Sequence, residues 1–160
     1  MKDITITLKK DEILYDVENT AYLVGNSRAT GDNYEQVSNI QNSGEEGDRN
    51  FILRAIDTAF NEVKKNLSRY IDEAKATDNN DLIDAENSFI LNLKVVDMFN
   101  EASTESLKSS AHDYITSAAL RDWFGNVKPD EMPIYEARVI KAHDNMLSAL
   151  YRKKAPKRPE

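Results

Sequence analysis

Over the first ten positions apolar and polar residues alternate, with Ile4, Ile6 and Leu8 on one side and Asp3, Thr5 and Thr7 on the other. A period of two built from β-branched side chains predicts a half-buried strand over residues 3–9. The spacing then lengthens to three and four at Leu14, Val17, Ala21 and Val24. Asp11 can cap a helix over 12–24 and Gly25 can stop it. Between residues 26 and 50 the pattern is lost among Asn, Ser, Gly, Asp, Glu and Gln, punctuated only by Tyr34, Val37 and Ile40. This reads as a long polar loop, either a surface loop or an arm that orders against a neighbouring subunit, with Tyr34 and Val37 as its candidate inter-subunit contacts.

The clearest helical period follows. Ile52, Ile56, Ala59, Val63, Leu67, Tyr70 and Ala74 form one stripe, which predicts a helix over 49–76 closed by the polar run 77–81. Phe89, Leu91, Leu93 and Val95 alternate with more polar neighbours, a second strand near 88–95 able to pair with the first. Leu107, Ala111, Tyr114, Ile115, Ala118 and Phe124 mark a third helix, with hydroxyl caps at Ser103 and Thr104 ahead of it and Gly125 at its end. Asp130 and Pro133 open a last helix, lined by Val139, Ile140, His143, Met146, Leu147, Leu150 and Tyr151 up to about residue 153. The expected fold is α+β and mostly α: a four-helix bundle with a small two-stranded β element, one domain over 1–153, and an extended basic tail over 154–160.

Composition narrows the function classes. A chain of 160 residues is long enough to bury a core without staples, and zero cysteines exclude disulfides, thiolate catalysis and thiolate metal sites. The longest apolar runs are far short of the roughly 20 residues that cross a bilayer, and no signal peptide is visible, so a cytoplasm-like compartment is expected. The net charge is −7, but Tyr151 to Glu160 hold five basic groups against one acid, a local +4 that leaves −11 on residues 1–150. An acidic body repels DNA phosphates, which argues against a body-wide nucleic-acid surface.

Candidate chemistry is sparse. Ala111-His112-Asp113 and Ala142-His143-Asp144 could hold a divalent metal from facing helices, yet adjacent helical residues diverge by about 100° and Ser109 and Ile140 stand where a di-iron bundle needs Glu. A packing or surface role fits them better. The serines at 103, 106, 109 and 110 lack a nucleophile elbow, and the glycines lack phosphate-cradle spacing. Trp123-Phe124 could be a core plug or an interface anchor, and core is favoured for Trp123. No catalytic, cofactor or metal residues are assigned. The Pro-punctuated Arg152, Lys153, Lys154, Lys157 and Arg158 suit docking to a partner groove.

Three stretches carry a family resemblance: Lys2-Asp3-Ile4-Thr5-Ile6-Thr7-Leu8-Lys9, Thr20-Ala21-Tyr22, and Leu150 through Pro159. With them the chain resembles small proteins of the virion-gene modules of tailed phages and prophages of Bacteroides-type gut bacteria. Its helical part is similar to head-tail connector (adaptor) proteins. That resemblance implies a structural virion protein assembled in the host cytoplasm, a homo-oligomeric ring linking portal and tail proteins, through which DNA passes without sequence-specific binding. Residues 111–124 and 134–150 would pack in the ring subunit, with the tail on its partners. The strands and the polar loop are not required by that class, which leaves another neck or tail-completion protein, or a non-enzymatic regulatory or anti-defence binding module, as alternatives.

Overall fold

A computed structural model of the chain describes residues 1–42, 46–75 and 86–155. Strand β1 (Lys2–Lys9) pairs antiparallel with β2 (Ser88–Val95), from Lys2 opposite Val95 to Lys9 opposite Ser88, as the two alternating stretches predict. Ile6, Leu8, Phe89, Leu91, Leu93 and Val95 form the buried face. The helices are α1 (Lys10–Ser27), α2 (Tyr34–Gln41), α3 (Glu46–Asn66), α4 (Thr104–Val127) and α5 (Met132–Tyr151); α4 packs against β1, and α2 and α5 pack on α4. The mostly helical α+β class holds, with five α-helices among the described residues where four were expected.

The additional helix lies inside the predicted polar loop. Gly31, at φ +89°, makes the turn, and Asn33 ties it by donating from Nδ2 to the Arg28 carbonyl at 2.7 Å while its Oδ1 accepts from Thr30 N at 2.9 Å. The polar residues that read as loop are thus a hydrogen-bonded turn, and α2 follows because Ile40 reaches the core and is fully buried. Gly25 does not end α1. It sits within the helix, where a Cβ would stand 2.5 Å from Cγ of Gln41, whose side chain crosses it to donate to the Tyr22 carbonyl and the Asn26 side chain. The glycine permits close approach of α1 and α2.

α3 stops at Asn66, ten residues before the end that its apolar period predicts. Tyr70, at the end of a turn, and Ile71 keep their apolar role but lie beside β2: Asp72 N donates to Asn92 O at 2.9 Å, Lys94 N to Tyr70 O at 2.6 Å, and Ile71 bridges Leu93. A stripe spaced for a helix also fits a turn and a strand bridge when β2 offers an unpaired carbonyl at Asn92 and an unpaired N–H at Lys94, and those two groups decide.

α4 is the central element. Leu107, Ala111, Ile115, Ala118, Ala119, Leu120, Trp123 and Phe124 are all buried and lie around most of its circumference, the mark of a helix enclosed by neighbours. Ser110 and Ser117, also buried, keep its surface narrow. Phe124 stacks on Tyr135 of α5 at 4.9 Å, Phe60 of α3 stacks on Phe89 of β2 at 4.3 Å, and Trp123 Nε1 donates to the Ile40 carbonyl at 3.1 Å. Trp123 is a core residue, as expected. Beneath β1, Lys10 and Asp57 form an almost fully enclosed ion pair at 2.8 Å, and Glu131, buried at the start of α5, meets Arg28 at 2.6 Å.

The chain does not leave α5 as a free tail at once. Asn100 N donates to the Arg152 carbonyl at 3.0 Å, Lys154 N donates to the Met98 carbonyl at 2.8 Å, and Phe99 bridges Lys153. Among the described residues no helix is long and apolar enough to cross a membrane.

Candidate functional site

α1, α4 and α5 leave a groove along α4 made of four neighbouring clefts, each sharing a lining residue with the next. Its first cleft is lined by Asp11, Glu12, Tyr15 and Asp16 of α1 with His112 of α4. A second shares His112 and adds Glu105, Lys108, Ser109 and Asp113. Asp113 leads into a third, between α4 and α5, with Thr116, Ser117, Arg138 and Lys141. Asn145 joins this to a fourth, where Ser106, Ser148 and Arg152 meet Glu105 again. Their volumes run from 360 to 510 Å³.

The walls follow from local sequence. On α1 the buried stripe Ile13, Leu14, Val17, Ala21 turns Tyr15 and Asp16 outward, and Tyr22 and Leu23 remain exposed farther along the same helix. On α4 short hydroxyl side chains line the α5 side, so the two helices approach closely and the floor stays polar. Asp16 Oδ2 meets His112 Nε2 at 2.6 Å, the one polar contact that ties α1 to the groove floor among the described hydrogen bonds. Beside it, burial pushes the Asp113 carboxyl above its ordinary value, His112 pulls it down, and Asp16 pushes it up.

The sign of that shift gives a test. A carboxyl raised in the folded state binds its proton more tightly there than in the unfolded chain. The associated stability is full below the ordinary aspartate range, near about 3.9, and is lost as pH rises through the raised value. At neutral pH Asp113 therefore costs stability, by a small amount since the residue is exposed and its charge is screened by solvent. Asp113→Asn should be more stable than the parent chain in urea unfolding at pH 7, and the gap should close towards pH 3. A variant less stable at pH 7 would contradict the sign.

The predicted docking residues divide. Arg152 lines the groove's fourth cleft. Lys153 is held by the bridge to Phe99, and Lys154 lies beside Lys2, which lowers the Lys154 pKa by hydrogen bonding and charge while Lys2 itself pairs with Glu101 at 2.9 Å. Lys157 and Arg158 lie outside the described residues. Tyr34 opens α2 and is 83% exposed, whereas Val37 is half-buried; both are on a helix and not on a loop. His112 faces Asp16, and His143 has its neighbour Asp144 at 3.5 Å. Among the described residues no group of three or more His, Cys, Asp or Glu could hold a metal ion.

The acidic half of the groove was not foreseen. Its signal in the sequence is Tyr15, Tyr22 and Leu23, which fall outside the buried stripe of α1 and put large side chains in solvent. The Asp16–His112 contact joins residues 96 apart and had no signal in spacing. Comparison with protein-family models, curated proteins and solved structures finds no match to this chain.

Proposed function

We propose that this chain is a non-enzymatic structural subunit of a tailed-phage neck, of the head-tail adaptor kind, which holds protein partners along the α1–α4–α5 groove and through its basic C-terminal segment. The groove carries the reading. Its clefts are shallow and adjoin one another, with hydroxyl side chains on the floor, charges of both signs on the walls and exposed Tyr15 at one end. Such a surface suits an extended protein segment, for which polar complementarity sets register and a tyrosine supplies contact area. The acidic body suits a ring through which DNA slides without being held, and the cationic residues 152–158 suit the acidic surface of a portal or tail protein.

The test is assembly of the virion module in the host with and without this chain. Heads that package DNA but fail to join tails, together with ring-like density carrying a tag on this chain at the junction, are the expected result. Tailed particles at normal yield in its absence would overturn the reading. The position of the tag along the particle separates an adaptor from another neck or tail-completion protein.

One observation favours a regulatory or anti-defence binding module instead: α2 and residues 152–154 are bonded to the chain's own core, which leaves a self-contained surface. That reading expects normal particle assembly without the chain and a stable complex with a host protein.

A further inference from the structure

We propose that the free edge of β1 docks the same strand of a second copy of this chain, the two running antiparallel about a two-fold axis at Ile6. The inference goes beyond the neck reading and does not depend on it.

The backbone fixes which groups are free. Asn92 accepts from Asp72 N and Lys94 donates to Tyr70 O, so the even-numbered residues of β2 turn their polar groups towards residues 70–72. In an antiparallel ladder the N–H and C=O of one residue point to the same side. Leu91 and Leu93 therefore turn theirs towards β1, to Ile6 and Ile4. Asp3, Thr5 and Thr7 are left aiming their N–H and C=O away from the sheet, and Lys9 its N–H alone, since its C=O opens α1 as the N-cap. The eight paired positions run one to one without a bulge, and β1 contains neither Pro nor Gly. Natural edge strands are usually blunted by such devices.

The side chains fix the occupant. A two-fold at Ile6 sets Thr5 opposite Thr7 of the second copy and Asp3 opposite Lys9, each twice. All four residues are odd-numbered, so all four pairs stand at hydrogen-bonding positions, the two Thr5–Thr7 pairs with both backbone bonds and the two Asp3–Lys9 pairs with the Lys9 N–H. They stand on the exposed face, and neither Asp3 nor Lys9 makes an ion pair within the described chain. On the inner face Ile4 meets Leu8 and Ile6 meets itself. Shifting the register by two residues either way sets Asp3 opposite Thr7, or Lys9 opposite Thr5, and loses both ion pairs. The strand is thus complementary to itself in backbone, in charge and in apolar pattern, which is the condition for an isologous contact.

Sedimentation of the full chain over a concentration series tests this. The parent chain should show a monomer–dimer equilibrium. Asp3→Lys places like charges at both symmetric pairs and should weaken the dimer at least about tenfold. Combining it with Lys9→Asp should restore the parent affinity, because the exchanged charges face each other again. Thr5→Pro removes an outward N–H without touching a bond to β2 and should abolish the dimer while an ordinary cooperative thermal transition remains. A parent chain that stays a single 18.2 kDa species at its highest soluble concentration would overturn the proposal. So would a dimer indifferent to all three variants. Loss on Thr5→Pro with no response to Asp3→Lys would overturn the two-fold at Ile6.

Discussion

Asp57→Ala should cost about 3–5 kcal/mol of unfolding free energy, a large part of the roughly 5–15 kcal/mol that holds an ordinary domain together. The side chains of Lys10 and Asp57 are only 8% and 11% exposed, and their charged atoms are 2.8 Å apart. The Lys10 ammonium also lies 5.4 Å from the centre of the Phe89 ring. Truncating the acid keeps the lysine charge beneath the sheet and takes away the carboxylate that compensates it. Replacing both residues together, Lys10→Met with Asp57→Leu, should recover most of the loss, since the attraction of a buried pair is nearly cancelled by the cost of removing two charges from water. Urea unfolding of the three proteins at pH 7 decides this. A double variant as unstable as the single one would mean that the pair does more than neutralise itself.

That pair illustrates how much of the fold could be read in advance. Lys10 falls between the predicted strand and helix, and nothing in the sequence marks it for burial. In the structure α1 follows β1 without a break, and the abrupt turn carries Lys10 inward. The strands, by contrast, were legible residue by residue: a period of two can satisfy only one face, and Ile6, Leu8, Leu91 and Leu93 found it. Both C-terminal helices were legible for the same reason, each with an apolar pattern long enough to outvote its polar interruptions.

What failed had one physical cause, local signals overruled by distant partners. Gly25 is a stop signal unless another side chain crosses it, and Gln41 does. Tyr70 continues a helical stripe unless a strand edge is open beside it, and β2 is. The same holds for the candidate site. Arg152, which lines the fourth cleft, was singled out only because cationic residues near a terminus stand out in the sequence. The first cleft lies where α1 crosses α4 and Asp16 reaches His112, and no spacing in the sequence marks that crossing.

The fate of the predicted loop rests on one indole, which makes Trp123→Ala the variant with the most to reveal. Trp123 is 3% exposed, its ring is 6.5 Å from that of Phe51, and its Nε1 holds the carbonyl of Ile40 at 3.1 Å. Truncation should cost about 3–5 kcal/mol from the cavity and lost contacts. α2 is only eight residues long, too short to persist without tertiary support. It should therefore melt first, and the amides of 34–41 should exchange with solvent at rates set by local opening, while those of α4 and α5 keep their protection. Trp123→Phe separates the two contributions: it retains most of the packing, gives up the hydrogen bond and should cost about 1–3 kcal/mol. Equal exchange of α2 and α4 amides in Trp123→Ala would mean that the segment read as a loop is an integral part of the core. Selective exchange would mean that it is a helix by courtesy of Ile40 and Trp123, and that the polar composition of 26–50 registers a low local stability even where the backbone is helical.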